Sequence, residues 1–169
     1  MDVTRPALTI AHIQTATNHE EERRMIYIGI DPGQKGGIAI LYDNGLLLTE
    51  PYSDTALLET CADLKDTQCI CCLERVHSMP NQGVASTFKF GAGYGFIKGV
   101  LSACGIPYQE ILPQRWKKEF GLNSDKMQSI EVCRSIFPNV NLKRTERCKV
   151  DHDGMAEAAL MAEYARRKL

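Results

Sequence analysis

Four acids stand where a carboxylate needs an explanation. Asp31 closes the apolar run IYIGI and is followed by Pro32-Gly33, and Glu74 closes the run CICCL. Asp153 and Glu157 stand four apart in DHDGMAE, a spacing that puts them on one helix face about 5–6 Å from each other. Like charges so placed cost a few tenths of a kcal/mol unless a cation lies between them. Four carboxylates from three distant segments, converging without basic partners, make the oxygen-only set that Mg²⁺ takes together with substrate phosphates. Two such ions about 3.5–4 Å apart stabilise both oxygens of an in-line phosphoryl displacement. Each acid alone also reads as a turn or cap residue, and Asp153 is a good helix cap. Glu157 resists that reading, because it interrupts the small apolar stripe Met155, Ala156, Ala159, Leu160, Ala162.

Positive charge is local. The net formal charge is -1 over 169 residues, yet Arg115, Lys117, Lys118 and Lys126 cluster in one stretch and Lys143, Arg144, Arg147 and Lys149 in another. Phosphates could run along both. Phe88 and Phe90 read as core side chains. The seven cysteines form no CxxC pair with a histidine partner, so buried reduced thiols are the reading rather than zinc. Alternation puts Cys69 and Cys71 on one face of a strand and Cys72 on the other.

The elements that must hold these residues follow from the pattern. Strands are expected at Met25–Asp31, Ile38–Tyr42, Leu46–Glu50, Gln68–Glu74 and Pro107–Leu112, with Asp43-Asn44-Gly45 as a hairpin turn. Helices are expected from Ser53 or Asp54 to about Asp63, from Val84 to Cys104, and from Pro113 to Glu119. Two more run from Asp125 to about Phe137, capped by Asn123 or Ser124, and from Asp153 to Arg167. Gly91, Gly93, Gly95 and Gly99 each weaken the second helix by about 1 kcal/mol relative to Ala, which calls for the close approach of another helix or a nucleic-acid backbone. The order β-β-β-α-β-α-β-α-α predicts an α/β fold, a mixed five-stranded sheet with helices on both faces. Residues 1–24 read as a flexible arm outside a domain of residues 25–169, and Met25 is a candidate start. No apolar run approaches the roughly 18–20 residues of a membrane span.

In order along the chain, these motifs resemble the RuvC-type Holliday-junction resolvases of the RNase H-like superfamily. Ile28-Gly29-Ile30-Asp31-Pro32-Gly33 matches that family's first-strand motif, and Leu73-Glu74 its second acid. Pro113-Gln114-Arg115-Trp116-Lys117 and Asp125-Lys126 resemble its basic helix and the start of the next. The ending Asp151 to Leu160, with the element Gly93-Tyr94-Gly95, is most similar to the phage and plant chloroplast branch. Bacterial members end with two acids three apart; here the pairing is Asp153 with Glu157, and Asp151 and His152 compete for the place of Asp153.

The resemblance implies a structure-selective endonuclease that resolves four-way DNA junctions by paired symmetrical nicks, as a homodimer with no nucleotide cofactor. Asp31, Glu74, Asp153 and Glu157 would hold two Mg²⁺ ions, with Mn²⁺ as a substitute. Lys117 and Lys126 would stand near the scissile phosphate, and His152 would assist proton transfer. Arg115, Lys118, Lys143 and Arg144 would contact DNA, while His77, Met79, Asn81 and Gln82 would face the junction centre. The helix from Val84 would form part of the dimer interface. A cytosolic setting, bacterial or phage-infected, is expected, and an organellar one stays open. An RNase H-like enzyme acting on RNA or RNA–DNA hybrids, a non-catalytic junction-binding module, and one lobe of an actin-like ATPase are the alternatives.

Overall fold

The computed structural model describes residues 25–76, 83–123 and 125–169. The arm 1–24 and the loop residues His77, Met79, Asn81 and Gln82 lie outside the described residues, as does the side chain of Lys126.

Five strands form one mixed sheet: β1 Ile26–Asp31, β2 Gly37–Tyr42, β3 Leu47–Pro51, β4 Cys69–Glu74 and β5 Tyr108–Ile111, in the order β3-β2-β1-β4-β5. β1, β2 and β3 pair antiparallel as a meander, whereas β4 runs parallel to β1 and β5 parallel to β4. Those parallel pairings need crossovers, and helices supply them. The helices are α1 Asp54–Asp63, α2 Val84–Ala103, α3 Pro113–Glu119, α4 Lys126–Ile136 and α5 Asp153–Lys168. α1 and the end of α2 bury Leu57, Cys61, Ile97 and Leu101 on one face of the sheet, with Cys69 and Cys71. α3, α4 and α5 bury Trp116, Cys133, Met155 and Leu160 on the other, with Cys72. The fold class is therefore the expected one, and the alternation of the cysteines holds.

Two helix caps differ from expectation. Ser53 caps α1 through its hydroxyl as read. At α4 the cap is Asp125, whose carboxylate accepts the Met127 N–H at 2.9 Å, while Asn123 only closes the turn before it. At α5 the cap is His152 rather than Asp153; its Nδ1 accepts the Met155 N–H at 3.3 Å. Phe88 and Phe90 are corrected too. Phe88 is 79% exposed, and Phe90 stands over Gly33 at a cleft instead of in the core. α2 buries only Ile97, Val100 and Leu101. Its earlier turns line that cleft, and Tyr94 and Lys98, which both donate to Glu110, tie the helix to the edge strand β5.

α5 lies flat on β1 and β2, and glycine makes this possible. A Cβ at Gly29 would run into the backbone of Ala158 and Ala162, and one at Gly37 would meet Gly154 and Met155. The small stripe of α5 thus touches bare strand backbone, which brings the first turn of α5 down to the end of β1. Gly29→Val is expected to destabilise the fold by at least the roughly 1–3 kcal/mol typical of overpacking, because the obstacle is main chain. Each kcal/mol lowers the melting temperature by about 2–4 °C in a chain of this size. A thermal melt followed by circular dichroism checks this, and an unchanged melting temperature would contradict the close approach.

Candidate active site

Strand register sets the first two acids side by side. Ile28 pairs with Cys71 and Ile30 with Leu73, so Asp31 and Glu74 follow as neighbouring ends of parallel strands. Alternation sends both toward the face of Gly29 and Cys72, the face covered by α5. The close seating of α5 brings Asp153 and Glu157 to the same corner, and Asp31, Asp153 and Glu157 line one cleft. Burial pushes the Asp31 carboxyl well above the usual carboxylate range; Glu74, Glu157 and Asp153 push it further, and Lys117 pulls against them. Burial also raises Glu74, opposed first by a hydrogen bond from Trp116.

The expectation that these acids converge without basic partners is overturned. α3 brings in Lys117, whose Nζ lies 3.0 Å from Glu157 Oε1. The hydroxyl of Ser129, a buried residue of α4, donates to the same oxygen at 3.2 Å. Next to Lys117, the Trp116 indole N–H donates to Glu74 Oε1 at 3.1 Å. Neither Trp116 nor Ser129 was singled out from sequence. Trp116 carried a signal, as the chain's one tryptophan set within a basic helix; Ser129 carried none.

The competitors for the helix position part ways. Asp151 is held away from the acids: Arg134 Nε donates to its Oδ2 at 2.8 Å, and Lys143 Nζ faces its Oδ1 at 2.7 Å as an ion pair. Burial alone would raise the Asp151 carboxyl, but these two cations hold it below the ordinary value. Lys143 also donates to the Lys149 carbonyl and pairs its backbone with Asp151, so it closes the 143–151 loop instead of reaching outward. Arg144 is exposed on that loop. His152 uses Nδ1 in its cap, so any proton it carries there belongs on Nε2.

The cleft has a volume of about 1580 Å³. It is also lined by Lys35 from the β1–β2 turn and by Lys89 and Phe90 from α2, none of them assigned to DNA from the sequence. A smaller hollow of about 390 Å³ lies between Arg115, Lys118 and Lys168. Among the described residues, no three His, Cys, Asp or Glu side chains stand in a ready ligating arrangement. In kind the donors fit a hard cation: four carboxylates, partly buried and mutually repelled, with Lys117 meeting one of them.

Comparison with solved structures bears on the architecture that carries this corner. RuvC of Thermus thermophilus in complex with a Holliday junction substrate superposes with a TM-score of 0.55 at 17% identity, over 85% of this chain and 96% of that one. A second Thermus thermophilus RuvC structure gives 0.52 at 19%, over 86% and 96%. The fold is RuvC-like. Neither a protein-family model nor a curated protein sequence matches the chain. Among the described residues no helix is long and apolar enough to cross a membrane.

Proposed function

We propose that the protein is a divalent-cation-dependent endonuclease that resolves four-way DNA junctions. The observation that carries this is the convergence of Asp31, Glu74, Asp153 and Glu157 at one corner of a RuvC-like fold. These four would hold two Mg²⁺ ions, with Mn²⁺ as a substitute. Bound there, the cations supply charge stabilisation at both oxygens of an in-line phosphodiester displacement. Lys117, already at the acids, would meet the scissile phosphate, joined by Lys126; His152 Nε2 would hold a proton beside the site. Arg115 and Lys118 flank one basic hollow, and with Arg144 they would steer the arms of the junction. The products would carry 5′-phosphate and 3′-hydroxyl ends. The chain's ending and its Gly93-Tyr94-Gly95 element align the proposal with the phage and chloroplast branch.

Two opposed cuts call for two equivalent sites, and α2 offers the surface for a homodimer. Val84, Phe88, Gly91, Gly95 and Gly99 recur at helical spacing and are all exposed. Among the described residues, a Cβ at Gly91, Gly95 or Gly99 meets nothing within 4 Å. Packing against the described residues thus does not account for the cost of those glycines; a second α2 crossing closely at Gly95 would. Gly95→Leu is expected to leave the monomer folded, even slightly more stable by about 1 kcal/mol from helix propensity. It should convert the dimer to monomer in sedimentation and abolish coordinated double nicking. A Gly95→Leu protein that remains dimeric would move the interface elsewhere.

The substrate class is tested by offering a four-way junction, a linear duplex and an RNA–DNA hybrid at equal concentration in Mg²⁺. Preferential cutting of the junction is expected. Faster cutting of the hybrid would assign the site to ribonuclease H-like chemistry, and binding of the junction without cutting would reduce the protein to a binding module.

A further inference from the structure

We propose that Trp116 is a positioning residue of the acid site, its indole N–H fixing one carboxylate oxygen of Glu74 so that the other serves the cation. The inference rests on the nuclease reading above. Trp116 is fully buried in the core on the side of the sheet that carries α3, α4 and α5, and its Nε1 meets Glu74 Oε1 at 3.1 Å. A buried N–H without an acceptor costs about 1–3 kcal/mol, so the ring and the carboxylate hold each other in place. The ring has little room to move, since it is wedged among α4, α5 and the sheet. Glu74, by contrast, is a long side chain at the end of a strand, and it would otherwise sample several rotamers.

The neighbouring residues of α3 divide the work. Lys117 reaches Glu157 on α5, while Trp116 reaches Glu74 on β4, and the Lys117 Nζ lies 5.1 Å from the centre of the indole. A seven-residue helix therefore ties two of the four acids, from two separate elements, to one rigid point. The two contacts differ in kind. Lys117 brings a charge that repels an arriving cation. The indole is neutral, so its bond to Glu74 persists when the cation binds. Partners that orient ligands in this way typically account for about 10–100-fold in metal affinity or activity.

Because Trp116 is the only tryptophan, an analogue supplied during expression labels that one position. The benzothiophene isostere, in which sulfur replaces the ring N–H, keeps the shape and removes the hydrogen bond. It is expected to leave the melting temperature within a few degrees of wild type, to weaken Mn²⁺ binding about 10–100-fold by calorimetry, and to lower kcat with KM for DNA unchanged. Independently of any cleavage, the single indole ¹H–¹⁵N resonance should shift on Glu74→Gln and broaden on addition of Mn²⁺. An isostere protein that binds Mn²⁺ and turns over like wild type, or an indole resonance indifferent to Glu74→Gln, would overturn the positioning role alone. Wild-type protein that binds Mn²⁺ and cuts no DNA, with the indole responding as expected, would overturn the nuclease reading and leave the contact standing.

Discussion

Asp31→Asn is expected to raise the melting temperature of the cation-free protein at neutral pH and, in the same preparation, to abolish DNA cleavage. The two effects share one cause. Burial, followed by the charges of Glu74, Glu157 and Asp153, raises the Asp31 carboxyl well above its ordinary range. The folded chain therefore holds that proton more tightly than the unfolded chain does. Stability falls with pH wherever the folded state binds more protons, so the loss begins near the ordinary carboxylate pKa. It is complete once the pH exceeds the raised value in the folded state. Asparagine keeps the shape, carries no charge and relieves the repulsion. In calorimetry with EDTA, the advantage of Asp31→Asn should be absent in acid, grow as pH rises and then level off. Cleavage should fall by at least the roughly 10²–10³-fold seen when one preorganised electrostatic group is removed. A variant less stable than wild type at neutral pH would show that Asp31 serves the fold instead of straining it.

Lys117→Met should separate binding of the cation from catalysis. The ammonium lies 3.0 Å from Glu157 Oε1, and it lowers the carboxyl pKa of both Asp31 and Glu74. Methionine keeps an unbranched chain without the charge. Three consequences follow. The cation-free protein loses stability at neutral pH, because the acids repel with nothing between them. Mn²⁺ binds more tightly, because a competing positive charge is gone. Cleavage nevertheless drops by about 10²–10³-fold, since the same charge is assigned to the scissile phosphate. Calorimetric titration with Mn²⁺ and single-turnover cleavage measure the two halves separately. Weaker Mn²⁺ binding together with full cleavage would invert the assignment and make Lys117 a structural partner of Glu157.

Much of the architecture could be read from the chain because its punctuation is local. Apolar runs end at Asp31 and Glu74, Asp43-Asn44-Gly45 turns β2 into β3, and Ser53 and Pro113 sit where helices begin. The readings that changed depend on partners distant in sequence. Asp151, His152 and Asp153 are nearly equivalent candidates on paper. They part only because Arg134 of α4 and Lys143 of the preceding loop claim Asp151, which leaves His152 to cap α5. Lys117 was placed near the scissile phosphate by resemblance, but its pairing with Glu157 was not legible, since no spacing rule connects α3 to a residue forty positions on. Phe88 was placed in the core because counting apolar residues on a helix assumes that its own chain covers them. Along the first turns of α2 the described residues do not. The glycines of that helix were legible as a cost, and the open space around them in the structure is consistent with a partner outside the chain.

Whether four carboxylates on a RuvC-like frame act as one cation site that cuts junction DNA is read from the junction itself. The direct measurement uses an immobile four-way junction labelled on each strand in turn, incubated with wild-type protein and with Asp31→Asn, in Mg²⁺ and in EDTA. Paired nicks at symmetrical positions on two opposed strands, ligatable without further processing, are expected from wild-type protein in Mg²⁺ only. Nicks that persist in EDTA or in Asp31→Asn, or an intact junction held tightly by wild-type protein in Mg²⁺, would contradict that expectation.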